Sequence, residues 1–110
     1  MGLKKQIFPV LLKNGQIFNS RNMSLRIMPD QQTIKNLINQ VSFVVSTKVS
    51  KLATVRNLLK RRGRAIIVKH KENIKTPYFL AFFIKSGAVN LSFSDFEKEV
   101  LYLLNLAKIK

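Results

Sequence analysis

Residues 78–84, Tyr-Phe-Leu-Ala-Phe-Phe-Ile, constrain this chain more than any other stretch. A half-exposed strand shows a polar residue at every second position, and this run shows none, so it reads as a strand buried on both faces. Such a strand belongs in the interior of a sheet and needs other elements to cover it. The 110 residues are enough for one such body, a single domain over residues 1–110.

The rest of the chain supplies partners for that strand. Residues 7–12 form an apolar run ended by Asn14-Gly15, the strongest short hairpin signal, so a strand and a tight turn are expected, with Pro9 at an edge or bulge. Met23-Ser24-Leu25-Arg26-Ile27-Met28 alternates with period two, which predicts a half-buried strand with Met23, Leu25 and Ile27 inward. Pro29 and Asp30 stop it. Asp30 or Thr33 can then cap a helix through Ile34, Leu37, Ile38, Val41, Val44 and Val45, ending near Ser46 or Thr47.

Residues 55–70 place two β-branched apolar runs around Lys60-Arg61-Arg62-Gly63-Arg64, which reads as a second hairpin whose Gly63 takes a positive φ. A polar loop follows, and Phe79, Phe82 and Phe83 in the run that opened this section are assigned to the core. Toward the end, Ser94-Asp95-Phe96-Glu97 has the form of a capping box. Phe96, Val100, Leu103, Leu104 and Ala107 recur at helical spacing, so a helix is expected over residues 94–108 with its apolar stripe packed on the core. The layout is α+β and grasp-like: a four- to five-stranded mixed sheet on one helix, with an additional C-terminal helix.

Charge bounds the function. Twenty Lys and Arg against five Asp and Glu give +15. Such an excess repels itself in isolation and is best tolerated on a polyanion. The cations are densest at the expected turn, where Arg56, Lys60, Arg61, Arg62 and Arg64, with Lys69 beyond, are the candidate contact residues. With no cysteine there is no disulfide framework or thiolate chemistry. His70, the sole histidine, lies between Lys69 and Lys71 and reads as a surface imidazole. Asp95, Glu97 and Glu99 fit a helix start without catalysis. No phosphate-cradling glycine pattern exists. A non-enzymatic protein without cofactor or metal is expected. No apolar run reaches the ~18 residues of a membrane span, and a soluble intracellular protein is expected.

The order of these signals resembles a family. Asn14-Gly15 after the first apolar run, Leu25-x-Ile27 before Pro29, Thr33 and Leu37, then Val41-Ser42, Val55-Arg56-x-Leu58, a turn ending in Gly63, Ile66 or Ile67, and Tyr78 with Ala81 are similar to a doublecortin domain over residues 5–85. The resemblance implies a ubiquitin-like β-grasp fold that docks on acidic tubulin and stabilises microtubules without catalysis. It also implies a place in the cytoplasm and cytoskeleton, for instance in a ciliary axoneme beside other microtubule-associated proteins. This chain departs from the family at Gln16, at Arg61-Arg62-Gly63 and at Pro77, so the candidate contacts rest on charge density alone. The rival reading is an RNA-binding structural protein, such as one of a mitochondrial ribosome, since scattered cations on a small α+β body fit phosphate-backbone binding. A third is a ubiquitin-like module using the C-terminal helix on a protein partner.

Overall fold

The computed structural model of the protein describes residues 7–29, 41–75 and 78–110. Its sheet has four strands, β1 (Gln16–Asn19), β2 (Met23–Pro29), β3 (Val41–Val44) and β4 (Tyr78–Ile84), in the order β1-β2-β4-β3. As its apolar run demands, β4 is an inner strand. It pairs antiparallel with β2, from Met23↔Ile84 to Pro29↔Tyr78, and parallel with β3, from Val41↔Leu80 to Val44↔Phe83. Among the described residues three α-helices accompany the sheet: α1 (Ile7–Asn14), α2 (Ala53–His70) and α3 (Phe93–Leu106). Parallel strands cannot be joined by a tight turn, and α2 is the crossover that joins β3 to β4.

The core lies on one face of the sheet. Met23, Leu25 and Ile27 of β2, Val41 and Phe43 of β3, and Leu80, Phe82 and Ile84 of β4 meet Leu59, Ile66 and Ile67 of α2 and Phe96, Val100, Leu103 and Leu104 of α3. All are buried, so the inward residues of β2 and the apolar stripe of α3 are as expected, and that stripe is not a docking surface. The opposite face is only half covered. Phe79 and Phe83 are half-buried there, while α1 packs against β2 and Arg26 donates from Nη1 to the Leu12 carbonyl at 2.8 Å.

The fold is thus α+β with a mixed four-stranded sheet, but two helices share its inner face, and the grasp layout of one helix on a sheet is not confirmed. Several local expectations fail for identifiable reasons. Residues 7–12 belong to a helix, not a strand. Pro9 stands in the first turn of α1, where a missing N–H breaks no bond, and Leu11 is fully buried. Gly15 ends this helix instead of turning a hairpin. Its N–H donates to the Leu11 carbonyl at 2.8 Å, and an added Cβ would lie 2.6 Å from that same oxygen. The real hairpin is β1–β2, closed where the Ser20 N–H donates to the Met23 carbonyl at 2.9 Å.

Residues 41–44 form a strand, because burial of Val41, Phe43 and Val45 follows period two; the start of the helix expected from Asp30 or Thr33 lies outside the described residues. The largest departure is residues 55–70. They form most of one 18-residue helix, α2, whose buried Leu59, Gly63, Ile66 and Ile67 follow helical spacing. Finally, α3 is capped by Ser92, whose Oγ accepts from the Asp95 N–H at 3.1 Å, and not by Ser94. No helix among the described residues is long and apolar enough to cross a membrane.

Candidate functional site

On a helix, residues four apart stack in one row, so folding residues 55–70 as α2 sorts the cations that a hairpin tip would have bunched. Arg56, Lys60 and Arg64 form one row, on the flank facing β3, the last strand of the sheet. Lys60 and Arg64, with Val41, Ser42 and Phe43, line a recess of about 140 Å³ between helix and strand. Arg56 is partly engaged: its Nη1 donates to the Ser50 carbonyl at 2.8 Å and steadies the turn into the helix. Arg61 is exposed on the side of α2 away from the core.

Arg62 and Lys69 fall on the other flank, toward α3. Nη1 of Arg62 donates to the Leu91 carbonyl at 3.1 Å. Lys69 Nζ lies 2.9 Å from Glu97 Oε2, and His70 Nε2 lies 3.0 Å from the same oxygen. His70 is therefore not a loop imidazole. It closes α2 with its side chain 18% exposed, and its partner lies 27 residues away in sequence.

The acids are as sorted as the bases. Asp95, Glu97 and Glu99 stand on α3 and Glu72 just beyond α2, while Glu99 holds Ser20 and the backbone N–H of Asn22 at the β1–β2 turn. Among the described residues no carboxylate is within ion-pair distance of Arg56, Lys60 or Arg64, and no three His, Asp or Glu side chains come together as a metal site. Among the described residues the β3 flank of α2 is thus a cationic surface without counter-charges, and α3 carries three of the acids.

Contact between Gly63 and Phe43 sets the spacing of helix and strand. A Cβ on Gly63 would lie 2.4 Å from two ring carbons of Phe43, whose ring stacks on Phe82 at 4.9 Å between centroids. Gly63 is thus needed for close approach, not for a turn. In an open helix Gly63→Ala gains about 1 kcal/mol. Here overpacking against a wedged ring costs about 1–3 kcal/mol, and we expect a net loss near 1 kcal/mol in urea unfolding. A rise in stability would mean that Phe43 swings aside freely.

Glu97 also makes a pH prediction. Its carboxyl is held below the usual glutamate value, first by the hydrogen bond from Lys69 and then by that from His70, with desolvation opposing. A lowered folded pKa means stabilisation that is present above the unfolded value of about 4.3 and lost as pH falls through the folded value. The gap in Tm between wild type and Glu97→Gln is expected to persist down to about pH 5 and to close below about pH 4. A gap that survives undiminished at lower pH would show that the glutamine fails for some reason other than charge.

A second surface escaped the sequence reading. On the outer sheet face the Arg26 guanidinium lies 5.4 Å from the centroid of the Phe83 ring, with Phe79, Met28 and Val44 half-buried nearby. The signal was present: Phe79, Ala81 and Phe83 alternate with the core residues of β4, and Arg26 stands in register with Ala81.

Comparison with known proteins bears on all of this. A family model described as Ribonuclease P matches residues 3–108. The chain is 30% identical to the ribonuclease P protein component of Synechocystis sp., over 99% of this chain and 91% of that protein. It is 27% identical to the one from Lactobacillus delbrueckii subsp. bulgaricus, over 96% and 84%. Among solved structures it is similar to the RNase P protein of Staphylococcus aureus, with a TM-score of 0.85 at 21% identity, covering 96% of this chain and 93% of that one. The RNase P protein of Thermotoga maritima superposes with a TM-score of 0.80 at 20% identity, over 91% and 92%.

These findings overturn the doublecortin resemblance. Two of its anchors, Asn14-Gly15 and the turn at Gly63, are a helix end and a helix interior. Tubulin as partner, microtubule stabilisation, and a cytoskeletal, axonemal or mitochondrial location fall with it, since the relatives are bacterial ribonuclease P proteins. With a family model spanning nearly its whole length and a relative 30% identical over 99% of this chain, the chain belongs to the Ribonuclease P family.

Proposed function

We propose that this chain is the RNA-binding protein component of a bacterial ribonuclease P ribonucleoprotein in the cytoplasm, and that it docks on the enzyme's RNA through α2. The observation that carries this is the row of Arg56, Lys60 and Arg64 beside β3, free of carboxylates among the described residues, on a chain of charge +15. A phosphate backbone releases counterions when such a row neutralises it, which supplies affinity without reading sequence. Composition asks only for a polyanion, and RNA is the one this family supports.

In this reading the chain positions and the RNA performs the chemistry. His70 and Glu97 are engaged with each other and Glu99 with Ser20 and Asn22, so these polar groups serve the fold. Arg26 over Phe83 adds a cationic and aromatic surface of the kind on which unpaired bases stack.

The deciding experiment is equilibrium binding to an in vitro transcribed bacterial ribonuclease P RNA, beside an unrelated RNA of equal length, across a salt series. Saturable and markedly tighter binding to the former is expected. Equal affinity for both at every salt concentration would reduce the chain to a generic polycation and defeat the proposal.

A further inference from the structure

α2 carries two basic flanks, yet only one is open. On the α3 side both cations are turned onto the protein: Arg62 onto the Leu91 carbonyl, and Lys69 onto Glu97. The second is the telling one. The Lys69 side chain is 60% exposed, so among the described residues Glu97 is the group that holds its ammonium back from a passing phosphate. Glu97 is well placed to do so, with its own side chain 17% exposed and one oxygen, Oε2, serving both Lys69 at 2.9 Å and His70 at 3.0 Å.

We propose that Glu97 is a specificity-determining residue: by occupying Lys69 and His70 it closes the α3 flank of α2 to polyanions and leaves the β3 flank as the sole docking register. The physical logic is that discrimination is a difference of affinities, and removing contacts from the wrong mode raises it as surely as adding contacts to the right one. A helix with two equivalent basic flanks binds any duplex in two orientations.

The inference rests on α2 being the RNA-contacting helix, and its test separates the two. Wild type, Glu97→Gln, Lys69→Ala and the double variant are titrated with a short blunt RNA duplex and with a bacterial ribonuclease P RNA, over a salt series. Glu97→Gln should steepen the slope of log K against log salt on the duplex by about 1 and tighten duplex binding roughly fivefold at physiological salt. Its preference for the ribonuclease P RNA shrinks accordingly. Lys69→Ala alone should leave the duplex slope where it was, and the double variant should return to the wild-type slope. A purely structural role for Glu97 would move melting temperature without moving the slope.

An unchanged duplex slope in Glu97→Gln overturns the proposal. So does a slope flattened by about 1 in Lys69→Ala, since that would mean Lys69 already contacts phosphate. Were Glu97→Gln too unstable to titrate, the Lys69→Ala arm decides by itself. Should wild type fail to prefer the ribonuclease P RNA, the functional assignment is lost while the duplex slopes still judge Glu97.

Discussion

Replacing Lys60 and Arg64 together by alanine is expected to weaken binding to ribonuclease P RNA roughly 10- to 100-fold at physiological salt and to flatten the salt dependence by about 2 on a log–log scale. Both side chains line the recess beside β3, and among the described residues neither has an ionic partner. On the proposed docking, their removal takes two phosphate contacts from the complex and, among the described residues, no ion pair from the protein. Alanine is the best helix former, so α2 itself should be undisturbed and the melting temperature equal to or above that of wild type. Arg62→Ala is the informative contrast. It breaks the bond to the Leu91 carbonyl that ties α2 to the segment before α3, so it should lower stability and barely move the salt slope. If Arg62→Ala and the double variant had the same effect on the slope, the division of α2 into an open and a closed flank would be wrong.

Phe82→Ala is expected to cost about 3–5 kcal/mol, a large fraction of the 5–15 kcal/mol typical of a domain. Phe82 is fully buried at the middle of β4, opposite Leu25 on one side and Phe43 on the other, with its ring stacked on Phe43 at an interplanar angle of 8°. No neighbouring strand can close the resulting cavity without giving up ladder hydrogen bonds. The effect reaches the proposed RNA-docking flank as well, because Phe43 is the ring against which Gly63 seats α2. Urea unfolding measures the first consequence. A cost under about 1 kcal/mol would show that the pair of rings is peripheral to the core.

Where the sequence was legible, side-chain periodicity and burial agreed. The alternation of Met23, Leu25 and Ile27 and the helical stripe from Phe96 to Leu104 each correspond to one element with the expected inner face. The apolar run of β4 is an inner strand, though its second face, with Phe79 and Phe83, is half-buried and not the fully buried core expected. Misreading occurred where a residue has two structural uses. Gly63 permits a turn but equally permits a ring to approach a helix, and Ile66, Ile67 and Val68 favour strands yet suit a helix that packs on a sheet. Asn14-Gly15 can turn a hairpin or end a helix. The density of cations from Arg56 to Arg64 marks a stretch of chain but not an arrangement in space, because a helix divides around its axis what a loop would gather at one tip. Partners distant in sequence were out of reach: nothing near His70 announces Glu97.

The crossover topology has a consequence for how binding and folding communicate. Because α2 is the covalent link between the parallel strands β3 and β4, a ligand held by its β3 flank clamps the one pairing that local chain closure does least to secure. At an RNA concentration about 100 times Kd, mass action adds about 2.7 kcal/mol to the folded state. Amide hydrogens of β3, at the edge of the sheet, should then exchange with solvent more slowly in the complex than in the free chain. A protein carrying +15 is thus expected to hold together more firmly when a bound polyanion answers its charge.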